Sequence, residues 1–362
     1  CMLCYTSGTT GNPKGVLYEH RSTMLHAITG VQPAVFDFDA RSVMLPVVPM
    51  FHAASWGLPW AGAAAGAKFV YSAVNEASVL CELMEREKVT TSAGVPTVWL
   101  SLLQYIDAHG KDIPAHLHTV VCGGSAMPRA MIERLMKQGI RVAHAWGMTE
   151  TSPIGVISKL LPKHANVPSE DLIKTKLKQG RGVWGVDLKI VDENGQALPW
   201  DGVAFGHLHV RGPWIASGYF RREGGSVLDD EGYFPTGDVA TIDPDGYLQL
   251  VDRAKDVIKS GGEWISSIDV ENTANSHPGV AESAVIGVAH PKWQERPLLL
   301  VVRRPGSTVE AKEIIDYLSS RIAKWWLPDD VVFVEALPHT ATGKLLKTKL
   351  RDLYRDHRLP GV

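Results

Sequence analysis

One stretch near the start of the chain, Thr6-Ser7-Gly8-Thr9-Thr10-Gly11-Asn12-Pro13-Lys14-Gly15, limits what the rest can be. It follows a short apolar run, Met2-Leu3-Cys4-Tyr5, which reads as a buried strand. Three glycines in eight residues let the backbone turn with positive φ and come close to a ligand. Hydroxyls and freed backbone N–H groups can then converge on one anion. Lys14 adds a mobile positive charge at the rim. That chemistry suits a polyphosphate. The spacing is not that of the common P-loop, because Gly8 and Gly11 are too close and Lys14 is followed by Gly15 rather than Ser or Thr.

At 362 residues the chain has room for two or more domains. A hydrophobic content of 45% with 21% charged residues is that of an ordinary soluble globular protein. The formal net charge of −2 argues against a broad nucleic-acid or anionic-membrane field. No apolar run approaches bilayer length. The most hydrophobic region, 56–70, is split by Pro59, Gly62 and Gly66 and reads as buried helix and strand. The four cysteines, Cys1, Cys4, Cys81 and Cys122, form no disulfide framework, and Cys1-x-x-Cys4 lacks a second pair at zinc spacing. The expected compartment is the cytoplasm.

Along the chain, helices are expected at 19–28, 78–88, 98–106 and 129–138, with strands at 42–48, 91–93, 119–122 and 141–143. Pro96 suits a helix start and Gly139 a helix end. This alternation up to about Trp146 predicts a mostly parallel α/β sheet, with ligands at the carboxyl ends of its strands. From Val186 the texture changes to short strands, 186–191 and 206–211, then a hairpin, 240–242 with 247–251. A small α+β module follows. Its expected parts are a helix at 266–275 capped by Ser266 and Asp269, strands at 284–288 and 298–302, a helix at 310–324, a strand at 331–334 and a basic helix from Lys344. The boundary is expected at Asp252-Arg253, giving a large domain over 1–251 and a small one over 252–362.

The run Thr6–Gly15 resembles the phosphate loop of the adenylate-forming superfamily, which includes acyl-CoA synthetases, aryl-CoA ligases, nonribosomal adenylation domains and beetle luciferases. Four further motifs follow in order: Trp146-Gly147-Met148-Thr149-Glu150, Tyr233-Phe234-Pro235-Thr236-Gly237-Asp238, Asp252-Arg253 with Gly261-Gly262, and Gly343-Lys344. The resemblance implies a large, layered α/β adenylate-forming domain, here partial, plus a small mobile α+β domain. It implies that Thr6, Ser7, Gly8, Thr9, Thr10, Gly11 and Lys14 hold phosphates. Gly123, Gly124 and Ser125 would line adenine, with Trp146 stacking on it beside Gly147. Thr149 would meet the α-phosphate and Glu150 would hold Mg²⁺, a hard cation that shares oxygens with phosphates. Asp238 would take the ribose hydroxyls, with Arg253 as a ribose and phosphate contact. His52 would lie between nucleotide and acyl pockets, Trp56 would gate the acyl tunnel, Gly261 and Gly262 would let pantetheine pass, and Asp252 would be the hinge. Lys344 would bridge the substrate carboxylate and the α-phosphate during adenylation. Lys347 and Lys349 read as exposed lysines, and Lys255 with Asp256 as a solvated charge pair.

The implied reaction is ATP-dependent: a carboxylate and ATP give acyl-AMP and pyrophosphate, then CoA takes the acyl group as a thioester. Trp56 and the wording around 204–219 and 252–263 point toward medium- or long-chain fatty acyl-CoA synthetases or methylmercaptopropionate-CoA ligases. The implied partners are ATP, Mg²⁺, CoA and a small carboxylic acid, with no nucleic acid; a homodimer is left open. Because the family carries a further subdomain ahead of this loop, and Cys1 stands where an initiator Met would, a fragment is expected. The rival reading is a non-catalytic nucleotide-binding remnant.

Overall fold

The structure, a computed structural model, describes residues 1–6, 13–222, 225–340 and 345–361. The chain divides into two compact units, one of 1–204, 208–236 and 241–249, the other of 205–207, 237–240 and 250–362.

The larger unit is built on a seven-stranded sheet. Its order is Lys68–Phe69, Val43–Pro46, Thr91–Gly94, Thr119–Cys122, Arg141–Gly147, Ile154–Ile157 and Arg181–Gly182. The first five strands are parallel and the last two antiparallel, so the predicted parallel character holds up to Gly147. The helices Ala77–Arg86, Pro96–Ala108 and Arg129–Lys137 supply Leu80, Met84, Trp99, Leu102, Ile132 and Leu135 to one core with Leu45, Val120 and Val142 of the strands. Pro96 opens its helix, where a missing N–H costs nothing. Gly139, at φ +77, lies just beyond Arg129–Lys137 and ends it in the left-handed conformation glycine favours.

Met2–Tyr5 is a strand, antiparallel to Gly15–Tyr18, but it is not buried as expected: only Cys4 is enclosed, and Leu3 and Tyr5 face outward. Alternation in an edge hairpin buries one face only. Beyond it, Asp187–Val191, Phe205–Arg211, Phe234–Ile242 and Leu248–Arg253 form a four-stranded sheet in that order.

The smaller unit has a five-stranded sheet in which Val280–His290 and Gln294–Arg303 are long antiparallel neighbours. Both faces are covered. Val285, Leu299 and Val301 pack with Val270, Ile314 and Leu318 of the helices Ser267–Asn275 and Ala311–Ser319. The alternate residues Ala284, Ile286, Leu298 and Leu300 pack with Leu350 of the helix Lys347–Leu353. Period-two alternation with two buried faces accounts for the nearly continuous apolar runs. Ser266 caps its helix as expected, its hydroxyl accepting from the Asp269 N–H at 3.1 Å. The helix expected over 310–324 stops at Ser319, and the last helix begins at Lys347 rather than Lys344.

Candidate active site

The ends of the Thr6–Gly15 loop are clamped together. Thr6 N–H donates to the Lys14 carbonyl and Lys14 N–H to the Thr6 hydroxyl oxygen, both at 2.9 Å. Ser7, Gly8, Thr9, Thr10 and Gly11 lie outside the described residues. The Lys14 ammonium, expected to be mobile, sits 4.7 Å from the centroid of the Tyr219 ring.

Thr149 and Glu150 form a single 3-10 turn just past the end of the strand Arg141–Gly147. Three contacts fix that turn. The Tyr18 hydroxyl donates to the Thr149 carbonyl at 2.7 Å, Ala216 N–H donates to the Glu150 carbonyl at 2.8 Å, and the Tyr219 hydroxyl donates to Glu150 Oε1 at 2.7 Å. Glu150 is 5% exposed, and its second carboxylate oxygen has no hydrogen-bond partner among the described residues. Burial pushes both phenols well above the usual tyrosine range, so each remains a donor at neutral pH.

Trp146 is buried, and its ring lies against Gly155, where an added Cβ would come within 2.5 Å. Gly147 has a local reason for its lack of side chain, since a Cβ would fall 1.9 Å from the Pro153 carbonyl oxygen. Trp56 and Gly123 are brought together, with an ideal Cβ on Gly123 3.3 Å from the indole. Gly124, at φ +84, and Ser125 are exposed. His52 stands at the start of an unusual turn, in which Ala53, Ala54, Ser55 and Trp56 all have φ between +45 and +56. Four successive non-glycine residues in that region carry strain. Ser55 anchors the turn by donating to the Val48 carbonyl at 2.9 Å.

In the smaller unit Asp238 and Arg253 meet, Nε to Oδ1 at 2.8 Å. Asp238 lies within the strand Phe234–Ile242, directly after Gly237, which takes φ +74. Asp252, the expected hinge, is buried, and its carboxylate accepts from Ser267 N–H at 2.8 Å, at the start of the helix Ser267–Asn275. Gly261 and Gly262 form a two-residue hairpin loop between Ile258–Ser260 and Glu263–Ile265, with φ +62 and +88. Positive φ at both positions is what such a turn demands, so the pair has a structural cause independent of pantetheine.

Two charge readings are corrected. Asp256 is not solvated: it is mostly enclosed and ion-paired with Arg351, while its charge also acts on Lys255. Lys347 is not exposed: its ammonium pairs with Glu271 at 2.7 Å and bonds the Ser267 hydroxyl. A sequence window shows a basic helix start but not the carboxylate that closes over it. Lys344 lies outside the described residues.

Sequence reasoning missed Tyr18, Tyr219 and Arg296. Arg296 donates to Asp329, to the Ser260 hydroxyl and to two backbone carbonyls, bracing the Gly261-Gly262 hairpin from behind. Gly218-Tyr219-Phe220 was a visible signal, an aromatic pair after a glycine, but its partner is 69 residues away. Among the described residues no helix is long and apolar enough to cross a membrane.

The structure superposes on o-succinylbenzoate CoA synthetase from Bacillus subtilis, solved with its acyl-adenylate intermediate, with a TM-score of 0.83 and 28% identity over 99% of this chain and 70% of that one. The fold is that of the adenylate-forming enzymes. A family model described as AMP-binding enzyme matches residues 1–220, and one described as AMP-binding enzyme C-terminal domain matches 269–344. The chain belongs to the AMP-binding enzyme family. It is 50% identical over 356 residues to 3-methylmercaptopropionyl-CoA ligase of Ruegeria pomeroyi, covering 98% of this chain and 66% of that protein. It is 48% identical over 357 residues to medium-chain-fatty-acid–CoA ligase of Ectopseudomonas oleovorans, covering 98% and 65%. The chain thus spans just under two thirds of the length of these curated relatives.

Proposed function

We propose that the protein acts as an ATP-dependent acyl-CoA synthetase, joining an aliphatic carboxylate to AMP and then to CoA. The observation that carries this reading is the pairing, in one unit, of a clamped glycine-rich loop ending in Lys14 with the buried Glu150 carboxylate, linked through Tyr219. Two anions must approach each other when a carboxylate attacks an α-phosphate, so catalysis here is charge neutralisation and positioning. Lys14 supplies a cation at the loop's end. Glu150 suits Mg²⁺, being a hard-oxygen donor with one oxygen unpartnered among the described residues. Bound there, the metal would supply positive charge to phosphate oxygens. Thr149 would contact the α-phosphate, Trp146 and the Gly123-Gly124-Ser125 segment the adenine, and Asp238 with Arg253 the ribose. His52 and Trp56 would border the acyl group. Lys344 is assigned to the adenylation step, Asp252 to the pivot of the small domain, and Gly261 with Gly262 to the path of CoA.

For the acid, the reading is a medium-chain fatty acid, supported by the 48% identity to a medium-chain ligase. A short thioether acid is the second reading, supported by the 50% identity to a methylmercaptopropionyl-CoA ligase. Carboxylate-dependent exchange of labelled pyrophosphate into ATP tests both, using C2 to C16 acids and 3-methylmercaptopropionate. Exchange that peaks at C6 to C12 is the expected result. Nucleotide binding without exchange for any acid would replace the ligase with a binding remnant.

A further inference from the structure

We propose that Tyr219 is a positioning residue that holds the Glu150 carboxylate with its hydroxyl and keeps Lys14 off that carboxylate with its ring. The inference rests on the ligase reading above. Three facts carry it. The Tyr219 hydroxyl donates to Glu150 Oε1 at 2.7 Å. The Lys14 ammonium lies 4.7 Å from the centroid of the same ring, a cation–π arrangement. The ring itself is held in place: it packs on the cluster of Cys4, Val16, Tyr18 and Ala54, and meets Phe234 edge to face at 6.2 Å between centroids.

Without that ring between them, the flexible Lys14 side chain is free to swing toward the Glu150 carboxylate and pair with it. Such a pair would consume both charges, leaving neither the cation for phosphate nor the anion for metal. Tyr219 engages each in a different way, so neither is neutralised by the other. Its hydroxyl takes one oxygen of Glu150 and fixes the carboxylate's orientation, and the second oxygen keeps no partner among the described residues. A phenylalanine would fill the same space against the cluster. The hydroxyl is therefore not explained by packing, and its contact with Glu150 is the interaction that requires tyrosine.

The test uses Tyr219→Phe and Tyr219→Leu in the full chain, with the non-hydrolysable analogue α,β-methylene-ATP as ligand. Mn²⁺ binding to the enzyme–analogue complex is read by electron paramagnetic resonance, and metal-free analogue affinity by calorimetry. Thermal melts report whether each variant is folded. Tyr219→Phe is expected to lower Mn²⁺ affinity about tenfold, as for loss of an outer partner of a metal ligand, with metal-free affinity unchanged. Tyr219→Leu is expected to lower metal-free affinity as well, by about tenfold, as Lys14 closes on Glu150. Adding Glu150→Gln to Tyr219→Leu should restore metal-free affinity, a coupling that simple loss of packing would not produce. Wild-type Mn²⁺ affinity in Tyr219→Phe, or no rescue by Glu150→Gln, overturns the proposal. A wild-type chain that binds no analogue overturns the ligase reading itself, and this inference with it.

Discussion

The two units handle buried charge in opposite ways. Around Tyr219 in the larger unit, Lys14 and Glu150 each engage the same tyrosine rather than each other, one over a ring face and the other on its hydroxyl. Around Lys347 in the smaller unit, charges are driven together: the ammonium meets Glu271 and the Ser267 hydroxyl, Glu271 also accepts from Val285 N–H, and Asp252 takes Ser267 N–H. Asp256 with Arg351 extends the set along the next turn of the same helix. Unpaired charges cost stability and are useful to a ligand; saturated ones tie elements together and offer a ligand nothing. The contrast separates a site from a brace.

The largest test uses two lysines three residues apart. Lys344→Ala is expected to cut pyrophosphate exchange at least about 100-fold, in the range of losing one oxyanion-type donor. Thioester formation from supplied acyl-AMP should stay largely intact, and the melting temperature unchanged. Equal loss of both half-reactions would remove Lys344 from the adenylation step. Lys347→Met should do the reverse and destabilise the smaller unit by about 3–5 kcal/mol, because Glu271 and Asp252 lose their shared cation. Urea denaturation followed by Trp fluorescence would read it. Adding Glu271→Met should return part of the loss; no recovery would mean the ion pair is not the source.

Acidity should sharpen the contrast further, since the two units have opposite slopes. Burial pulls His26 and His144 down to about 4, and Lys176 further disfavours a charge on His144. Between pH 4 and the ordinary 6.5 the folded larger unit therefore holds fewer protons than its unfolded chain. Its stability is complete above 6.5 and falls as pH drops toward 4, by on the order of 3 kcal/mol per imidazole at most. In the smaller unit, burial raises Glu271 to about 7 and Asp269 to about 6, outweighing the pull of Lys347 on Glu271. The folded form there holds more protons than the unfolded chain, so stability is greatest at low pH and is lost as pH rises through 6 to 7. Hydrogen exchange of the separate core strands between pH 4 and 8 would resolve the two slopes, and parallel slopes would refute the assignment. The smallest effect is expected at the helix cap: Ser266→Ala should cost about 1 kcal/mol, read by thermal melting.

How far these features were legible in the sequence depended on the reach of the signal. Strand 119–122, the starts of the helices at Pro96 and Arg129, and the Ser266 cap were all readable because their causes lie within four residues. The Gly261-Gly262 turn carried its own backbone reason, although its sequence role had been given to CoA. Lys347 misled because a lysine among lysines at a helix start looks solvated, while Glu271 is 76 residues earlier in the chain. Tyr219 was passed over for the same reason.

By itself the sequence determined the local grammar of this protein: the glycine-rich loop with a lysine at its end, the alternating strands and helices, the motif order and the family they belong to. Tertiary structure alone decided which charges are spent and which are kept. Tyr18 reaches Thr149 across 131 residues, and His26 reaches Ile154 across 128. The physical reason is that propensity and periodicity act over a turn or a pleat, whereas burial and ion pairing depend on which distant surfaces the fold brings within a few ångströms.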